Sequence, residues 1–191
     1  MSLDSQTKKV ALVINFPPNC DIDNTISKLE NYLKDNVIEY YFILHDSDTD
    51  GLGGPKKTKH LHVVFLLDKK ARLLTIINRF CNAIYESDKY TNLFSIQSVK
   101  DYDCAIAYLV HKNDKFKFQY DSKLVKTNNE EYLRGVLNSE NSRELSIDYI
   151  EQLCDECTSS IDVLKKVGLW NAKTYLNVIA YIWQKHKGLP F

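Results

Sequence analysis

The spacing of apolar and polar residues predicts alternating strands and helices over roughly residues 8–120. Residues 8–16 form a β-branched apolar run ended by two prolines, which is typical of a strand followed by a breaker. The next apolar residues recur at helical spacing, and Asp21 or Asp23 can cap the start of that helix. Continued along the chain, the pattern predicts strands at 8–16, 40–44, 60–67 and 93–99 and helices at 21–35, 70–86 and 101–112.

The order of these elements, β-α-β-β-α-β-α, is typical of a ferredoxin-like, split-βαβ antiparallel sheet with helices packed on one face. Beyond residue 122 the apolar residues continue at helical spacing and predict only helices, at about 129–138, 146–157, 159–167 and 172–187. We therefore expect an α+β domain over residues 1–122 and a small all-helical domain over residues 123–191.

The composition of the chain limits the classes of function that it can have. The chain has 25 basic and 25 acidic side chains, so it is not a uniformly basic nucleic-acid-binding protein, and DNA contacts must depend on local clusters. No run of 18 or more apolar residues is present, so we expect no membrane-spanning helix and no signal peptide. This pattern predicts a soluble cytoplasmic protein. Five cysteines without regular spacing indicate reduced thiols. Cys154 and Cys157 lack a second ligand pair, which disfavours zinc and leaves their role open.

A pair of histidines, His60 and His62, lies in the third predicted strand, at positions that project to the same face. Two such imidazoles can share a metal ion, although an arbitrary pair of this kind more often only decorates an exposed face. The neighbouring strand ends near Asp46 and Asp48, whose carboxylates are also typical of a turn. Together these side chains suit a hard divalent ion, Mg²⁺ or Mn²⁺, with open positions for water or phosphate oxygens.

A tyrosine, Tyr108, lies in the third predicted helix, within Ala-Ile-Ala-Tyr-Leu-Val-His-Lys. A tyrosine attacks phosphorus well when a Lewis acid polarises the phosphate, so a metal site and Tyr108 would form a coherent pair. A tyrosine on a helix is also commonly a core residue. Of the residues that follow, Lys112 fits a phosphate contact as well as it fits a helix end, whereas His111 fits a helix end better.

Basic residues cluster around these candidate positions. Each cluster alone is typical of a solvated surface, whereas several together are typical of a track for DNA phosphates. Phe116, Phe118 and Tyr120 interleave with the last cluster and fit base stacking or an edge strand equally well. The basic residues are Lys56, Lys57 and Lys59 before His60, then Lys69, Lys70 and Arg72 after that strand, then Lys112, Lys115 and Lys117 after Tyr108.

Three motifs in this order resemble those of a known enzyme family. The motifs are Leu-His-Asp-Ser-Asp after a strand, then His-Leu-His-Val-Val-Phe, then Tyr-Leu-Val-His-Lys-Asn-Asp. Over about residues 8–120 the chain resembles the HUH endonucleases, specifically the rolling-circle replication initiators (Rep proteins) of small Gram-positive plasmids. The resemblance implies that residues 1–122 form an HUH origin-binding and nicking domain, and that residues 123–191 serve oligomerisation.

The resemblance also implies the residue roles. His60, His62 and Asp48 would bind Mn²⁺ or Mg²⁺, with Asp46 as a candidate fourth ligand. Tyr108 would be the single nucleophile that nicks and rejoins origin DNA through a 5′-phosphotyrosine intermediate. Partners would be single-stranded or hairpin origin DNA, host replication proteins and a second copy of the chain.

Other functions use the same pattern. A mobilisation relaxase or a single-tyrosine transposase would employ the same residues, although relaxases usually place the tyrosine near the N-terminus. A non-catalytic ferredoxin-like module could bind origin DNA or RNA without cutting. RNA-binding modules of this fold need exposed aromatic residues on the central strands, where this chain has His60 and His62.

Overall fold

The computed structural model describes residues 3–49, 55–112, 114, 117–138, 147–167 and 179–188. The strands are β1 (Gln6–Asn15), β2 (Glu39–His45), β3 (His60–Arg72), β4 (Phe94–Ser98) and β5 (Lys126–Thr127). The helices are α1 (Ile22–Asn36), α2 (Leu73–Tyr85), α3 (Tyr102–Tyr108), α4 (Glu130–Asn138), α5 (Ile147–Glu156) and α6 (Ser160–Val167), and residues 179–187 are also helical. The predicted α+β class is confirmed, as is the element order from β1 to α3, whereas β5 was not predicted, because only helices were expected beyond residue 122.

The five strands form one antiparallel sheet in the order β4-β1-β3-β2-β5. Strand β3 runs to Arg72, beyond the predicted end, because Gln6 and Thr7 pair with its last residues after an irregularity in β1. Lys69 therefore lies roughly 30 Å along the strand from His60, at about 3.3 Å per residue. The cluster of Lys69, Lys70 and Arg72 does not flank the histidine pair, contrary to the expectation from sequence.

One face of the sheet packs against α1 and α2. Alternate residues of the central strands point to this face and meet the apolar stripes of the two helices. Burying each such side chain stabilises the fold by about 1.5–3 kcal/mol relative to exposure. The largest fully buried members of this core are Leu12, Ile14, Leu29, Leu33, Phe42, Leu61, Phe65, Leu73 and Phe80.

The other face packs against α3 and α4, so the expectation of helices on one face only was wrong. Tyr41, Ile43 and Val64 point to this face and contact apolar residues such as Ile106 of α3 and Leu133 of α4. The reason is visible in the strand composition. The apolar runs of β2 and β3 are nearly continuous rather than alternating, which is typical of strands buried on both faces.

Helix α3 is shorter than predicted. The carboxylate of Asp101 accepts the backbone N–H of Cys104 and caps its start. The helix ends at Tyr108, and His111 adopts a left-handed backbone with φ of 55°. The prediction of helix to residue 112 was therefore wrong at its end, and Tyr108 is the last helical residue.

The chain divides into two compact units, one comprising Met1–Lys112 and Phe116–Ser142 and the other Asn113–Lys115 and Arg143–Phe191. Strand β5 and α4 belong to the first unit, so the division after residue 122 that was expected from sequence falls later. The predicted helices at 129–138, 146–157 and 159–167 are observed with small shifts at their ends. For the last predicted helix, residues 172–178 lie outside the described part. Within the described residues, no helix has the length and apolar character needed to cross a membrane.

Candidate metal centre and tyrosine

The register of β2 and β3 brings three histidines to one face of the sheet. His45, the last residue of β2, pairs with His60, the first residue of β3, and Ile43 pairs with His62. Residues directly opposite each other in an antiparallel pair point to the same face, as do residues two apart in one strand. His45, His60 and His62 therefore share the face on which α3 packs.

Asp48 joins these histidines from the turn after β2. The four side chains of His45, Asp48, His60 and His62 each offer one ligand atom, and these atoms all lie within 4.8 Å of one another. The Nε2 atoms of His60 and His62 are 3.1 Å apart, and His60 Nε2 is 3.6 Å from Asp48 Oδ2. Among the residues that the structure describes, no other group of this kind occurs.

Backbone carbonyls fix which imidazole nitrogens can bind an ion. His45 Nε2 donates to Leu109 O at 2.7 Å, and His60 Nδ1 donates to Thr58 O at 2.8 Å. Because a carbonyl only accepts, these nitrogens carry hydrogen, and the lone pair of each neutral ring lies on the other nitrogen. These other nitrogens, His45 Nδ1 and His60 Nε2, both face Asp48 Oδ2.

The contact between His45 and Asp48 requires a positive charge. His45 Nδ1 and Asp48 Oδ2 are 3.2 Å apart, and neither a neutral Nδ1 lone pair nor a carboxylate oxygen can donate to the other. Either a proton on Nδ1 or a cation bound by both atoms stabilises this arrangement. The donor set of three imidazoles and one carboxylate therefore fits a divalent metal ion.

The charge states of the group favour metal binding. Burial acts to raise the pKa of Asp48, but its contacts with His45 and His111 and the hydrogen bond from Tyr120 outweigh burial, and the pKa lies well below its ordinary value. Burial lowers the pKa of His60, and it lowers the pKa of His62 well below the ordinary value. An ionised carboxylate beside neutral imidazoles is the form in which these side chains bind metals.

Tyr120 orients the carboxylate of Asp48. Its hydroxyl donates to Asp48 Oδ1 at 3.0 Å and accepts the backbone N–H of Ser47 at 2.9 Å. Its ring stacks on His45, with centroids 4.3 Å apart and planes 9° apart. Burial raises the pKa of Tyr120 to about 12, so the hydroxyl remains a donor at neutral pH. The suggestion that Tyr120 stacks on bases was wrong, because its ring is buried against His45.

Tyr108 lies beside the group of four candidate ligands. Its ring centroid is 5.8 Å from that of His62, and the side chain is half-buried at the end of α3. The phenolic oxygen accepts a hydrogen bond of 2.5 Å from Lys117 Nζ. His111, in the turn after the helix, is buried and donates from Nδ1 to Phe118 O at 2.8 Å. The chemistry available here is that of a tyrosine nucleophile next to a Lewis-acid site.

A family model for the origin-binding domain of plasmid replication proteins matches residues 24–134 of the chain. The chain belongs to this family. The matched residues include the whole ligand group, Tyr108 and Tyr120, and the match makes the chain a plasmid replication initiator whose matched domain binds origin DNA. A search of curated proteins finds no match.

In this origin-binding domain, the predicted ligands His60, His62 and Asp48 come together, and Asp46 does not join them. Strand β2 ends at His45, so the alternation that would have aligned Asp46 with Asp48 does not continue, and Asp46 Oδ1 instead accepts a hydrogen bond from Ser47 Oγ. His45 is the fourth member of the group of candidate ligands and was missed. The second strand was predicted to end at residue 44, one residue before His45, so pairing the predicted strands did not place His45 opposite His60.

The predicted DNA-binding lysines of the origin-binding domain divide into two groups. Lys56, Lys57 and Lys59 are exposed in the segment before His60, and the backbone N–H of Lys57 donates to Asp48 O at 2.8 Å. That bond holds the basic segment next to a candidate ligand. Lys112 instead donates from Nζ to Val136 O at 3.4 Å, near the end of α4.

Proposed function

We propose that this plasmid replication initiator nicks and rejoins single-stranded origin DNA as a metal-dependent, single-tyrosine HUH endonuclease. The observation that carries the proposal is the position of Tyr108, whose ring lies 5.8 Å from that of His62 in the four-residue ligand group. A tyrosine alone is a weak nucleophile for a phosphodiester, and a ligand group alone serves many purposes. Their combination on one face of an origin-binding domain supports phosphoryl transfer.

His45, Asp48, His60 and His62 would hold the ion. When bound, a divalent ion supplies Lewis acidity that withdraws negative charge from the scissile phosphate. Three nitrogen donors and one oxygen donor favour Mn²⁺ over Mg²⁺, because Mg²⁺ prefers oxygen ligands. We therefore expect Mn²⁺ to bind more tightly than Mg²⁺.

Tyr108 performs the covalent step. Its phenolic oxygen attacks phosphorus, an oxygen–phosphorus bond forms to the 5′ side of the nick, and the bond from phosphorus to the 3′ oxygen breaks. The phenolic proton leaves to solvent and the released 3′ oxygen takes one up, so no other reactant is consumed. The free 3′ hydroxyl can prime rolling-circle synthesis, and attack by a 3′ hydroxyl on the phosphotyrosine link reverses the step and rejoins the strand.

The exposed lysines before His60 would guide the DNA strand to this site. Lys56, Lys57 and Lys59 lie in a segment whose backbone is hydrogen-bonded to Asp48, so phosphates that they neutralise would lie close to the ligand group. Self-association through the C-terminal helices, contacts with host replication proteins and a cytoplasmic location remain predictions from the sequence.

A covalent-adduct assay tests the proposal. Overlapping single-stranded oligonucleotides that tile the replicon encoding the chain are incubated with the full-length protein and Mn²⁺, and protein–DNA adducts are separated under denaturing conditions. We expect an adduct on the oligonucleotide that contains the nick site, and its loss with chelator or with Tyr108→Phe. Tyr181→Phe, at an exposed tyrosine of the second unit, is the matched control and should form the adduct at the wild-type rate.

Two outcomes would contradict the proposal. An adduct that persists in Tyr108→Phe would exclude Tyr108 as the nucleophile, and adduct formation that survives in the double variant His60→Ala with His62→Ala would exclude the metal site. The family match itself favours origin binding, so binding of origin DNA without any adduct would identify a non-catalytic origin-binding protein. An adduct only on a transfer origin, and not on the replication origin, would identify a mobilisation relaxase.

A further inference from the structure

Lys117 contacts the atom that acts as nucleophile in the proposed function. Its ammonium nitrogen is 2.5 Å from the phenolic oxygen of Tyr108 and 4.6 Å from the centroid of the ring. The ammonium group thus lies at the oxygen end of the side chain rather than over the ring. A charged donor at this distance makes a strong hydrogen bond.

The segment that carries Lys117 is held in place by residues of the site. His111 Nδ1 donates to the carbonyl of Phe118, and the backbone N–H of Tyr120 donates to Val110 O at 3.3 Å. The hydroxyl of Tyr120 in turn donates to Asp48. Residues 117–120 are therefore fixed both to the turn after α3 and to a candidate metal ligand, so Lys117 reaches Tyr108 from a defined position.

We propose that Lys117 is a catalytic residue of strand cleavage, acting as the ammonium group that holds the Tyr108 oxygen and neutralises the phosphate it attacks. This inference rests on the proposed function. Because the ammonium group lies at the Tyr108 oxygen, its positive charge would also lie beside the phosphate that this oxygen attacks. Lys112 is the lysine closest to Tyr108 in sequence, but it donates to the carbonyl of Val136 instead.

Lys117 stabilises negative charge at each stage of the step. It donates to the Tyr108 oxygen as the phenolic proton is lost to solvent and the oxygen–phosphorus bond forms. It remains beside the phosphodiester anion of the phosphotyrosine link after the bond to the 3′ oxygen breaks and that oxygen takes a proton from solvent. Lys117 itself keeps its proton, so its contribution is electrostatic, and removing one such donor typically lowers the rate about 100-fold to 1,000-fold.

The test compares Lys117→Met and Lys117→Arg with the wild type. The rate of adduct formation is measured in single turnover at saturating oligonucleotide with Mn²⁺, and affinity for the same oligonucleotide is measured separately by fluorescence anisotropy in chelator. We expect Lys117→Met to form the adduct about 100-fold more slowly with affinity within about threefold of wild type. Lys117→Arg retains a charged donor and should form the adduct at least about 10-fold faster than Lys117→Met does. Lys123→Gln changes an exposed lysine in the same stretch and should react as the wild type does.

The outcomes separate this inference from the proposed function. If the wild type forms no adduct on any oligonucleotide, the proposed function fails. If the wild type forms a Tyr108-dependent adduct and Lys117→Met reacts at the same rate, only the role of Lys117 is overturned. A loss of affinity with an unchanged rate at saturation would also overturn it, because Lys117 would then only bind DNA. Thermal unfolding of each variant checks the fold. If Lys117→Met is unfolded, Lys117→Gln replaces it as the variant without a charge. Equal adduct rates for Lys117→Arg and folded Lys117→Gln would then count against the proposal.

Discussion

Acid should destabilise the metal-free protein because its central imidazoles are buried in the neutral form. His111 is 1% exposed, and burial lowers its pKa to about 4. The pKa values of His60 and His62 are lowered in the same direction, also by burial. In the unfolded chain these rings take up a proton near pH 6.5. Between about pH 4 and pH 6.5 the unfolded state binds more protons than the folded state, so the free energy of unfolding falls as the pH falls.

The expected size follows from the displacement of the pKa. Because the pKa of His111 is 6.5 in the unfolded chain and about 4 in the folded one, the free energy of unfolding falls by about 3 kcal/mol once His111 is protonated in both states. At pH 5 the loss is about 2 kcal/mol. A domain has roughly 5–15 kcal/mol of stability in total, so this loss is measurable. Asp48 does not contribute in this window. Its lowered pKa provides stability that is present above about pH 4 and is lost only below it.

Urea unfolding of the chelator-treated protein at pH 7 and pH 5 measures this effect. His111→Asn is the informative variant, because asparagine tolerates the left-handed backbone at this position and its amide can still donate to Phe118 O. We expect the wild type to lose about 2 kcal/mol more than His111→Asn between the two pH values. Equal pH dependence in wild type and His111→Asn would refute the reasoning.

Two further predictions concern residues that orient the site. Tyr120→Phe keeps the ring stacked on His45 but removes the hydroxyl that donates to Asp48, so we expect Mn²⁺ affinity, measured by calorimetric titration, to fall about 10-fold. Unchanged affinity would mean that Asp48 is oriented without that bond. Asp101→Ala removes the side-chain cap of α3, so we expect a loss of about 1 kcal/mol in urea unfolding and slower adduct formation by Tyr108. Lost stability with an unchanged adduct rate would show that the cap does not position Tyr108.

The strands and the histidine pair could be predicted from sequence because they depend on local order. A β-branched apolar run specifies a strand, and two residues separated by one position in a strand always share a face. The assignment of β3 alone was therefore enough to predict that His60 and His62 share a face. The second apolar face of the sheet was missed, although the unbroken apolar runs of β2 and β3 carried that information.

The rest of the site depends on contacts between distant parts of the chain. His45 becomes a ligand through the register of β2 on β3, which a linear pattern does not specify. Tyr120 reaches Asp48 across 72 positions of sequence. The early end of α3 has a similar origin, since His111 leaves the helical conformation and donates to Phe118 O, whereas helix propensity alone would continue the helix.

The burial that makes the metal-free protein sensitive to acid also prepares the site for a cation. His45 Nδ1 and Asp48 Oδ2 face each other at 3.2 Å, so a proton and a metal ion compete for one position. Burial keeps His60 and His62 neutral and therefore able to bind metal at pH values where exposed imidazoles would begin to protonate. At a metal concentration 100 times the dissociation constant, binding stabilises the folded state by about 2.7 kcal/mol, which is similar to the cost of keeping His111 neutral at pH 5. Bound Mn²⁺ should therefore stabilise the fold at neutral pH, and because the affinity for Mn²⁺ should fall as the pH falls, this added stability should be lost in acid.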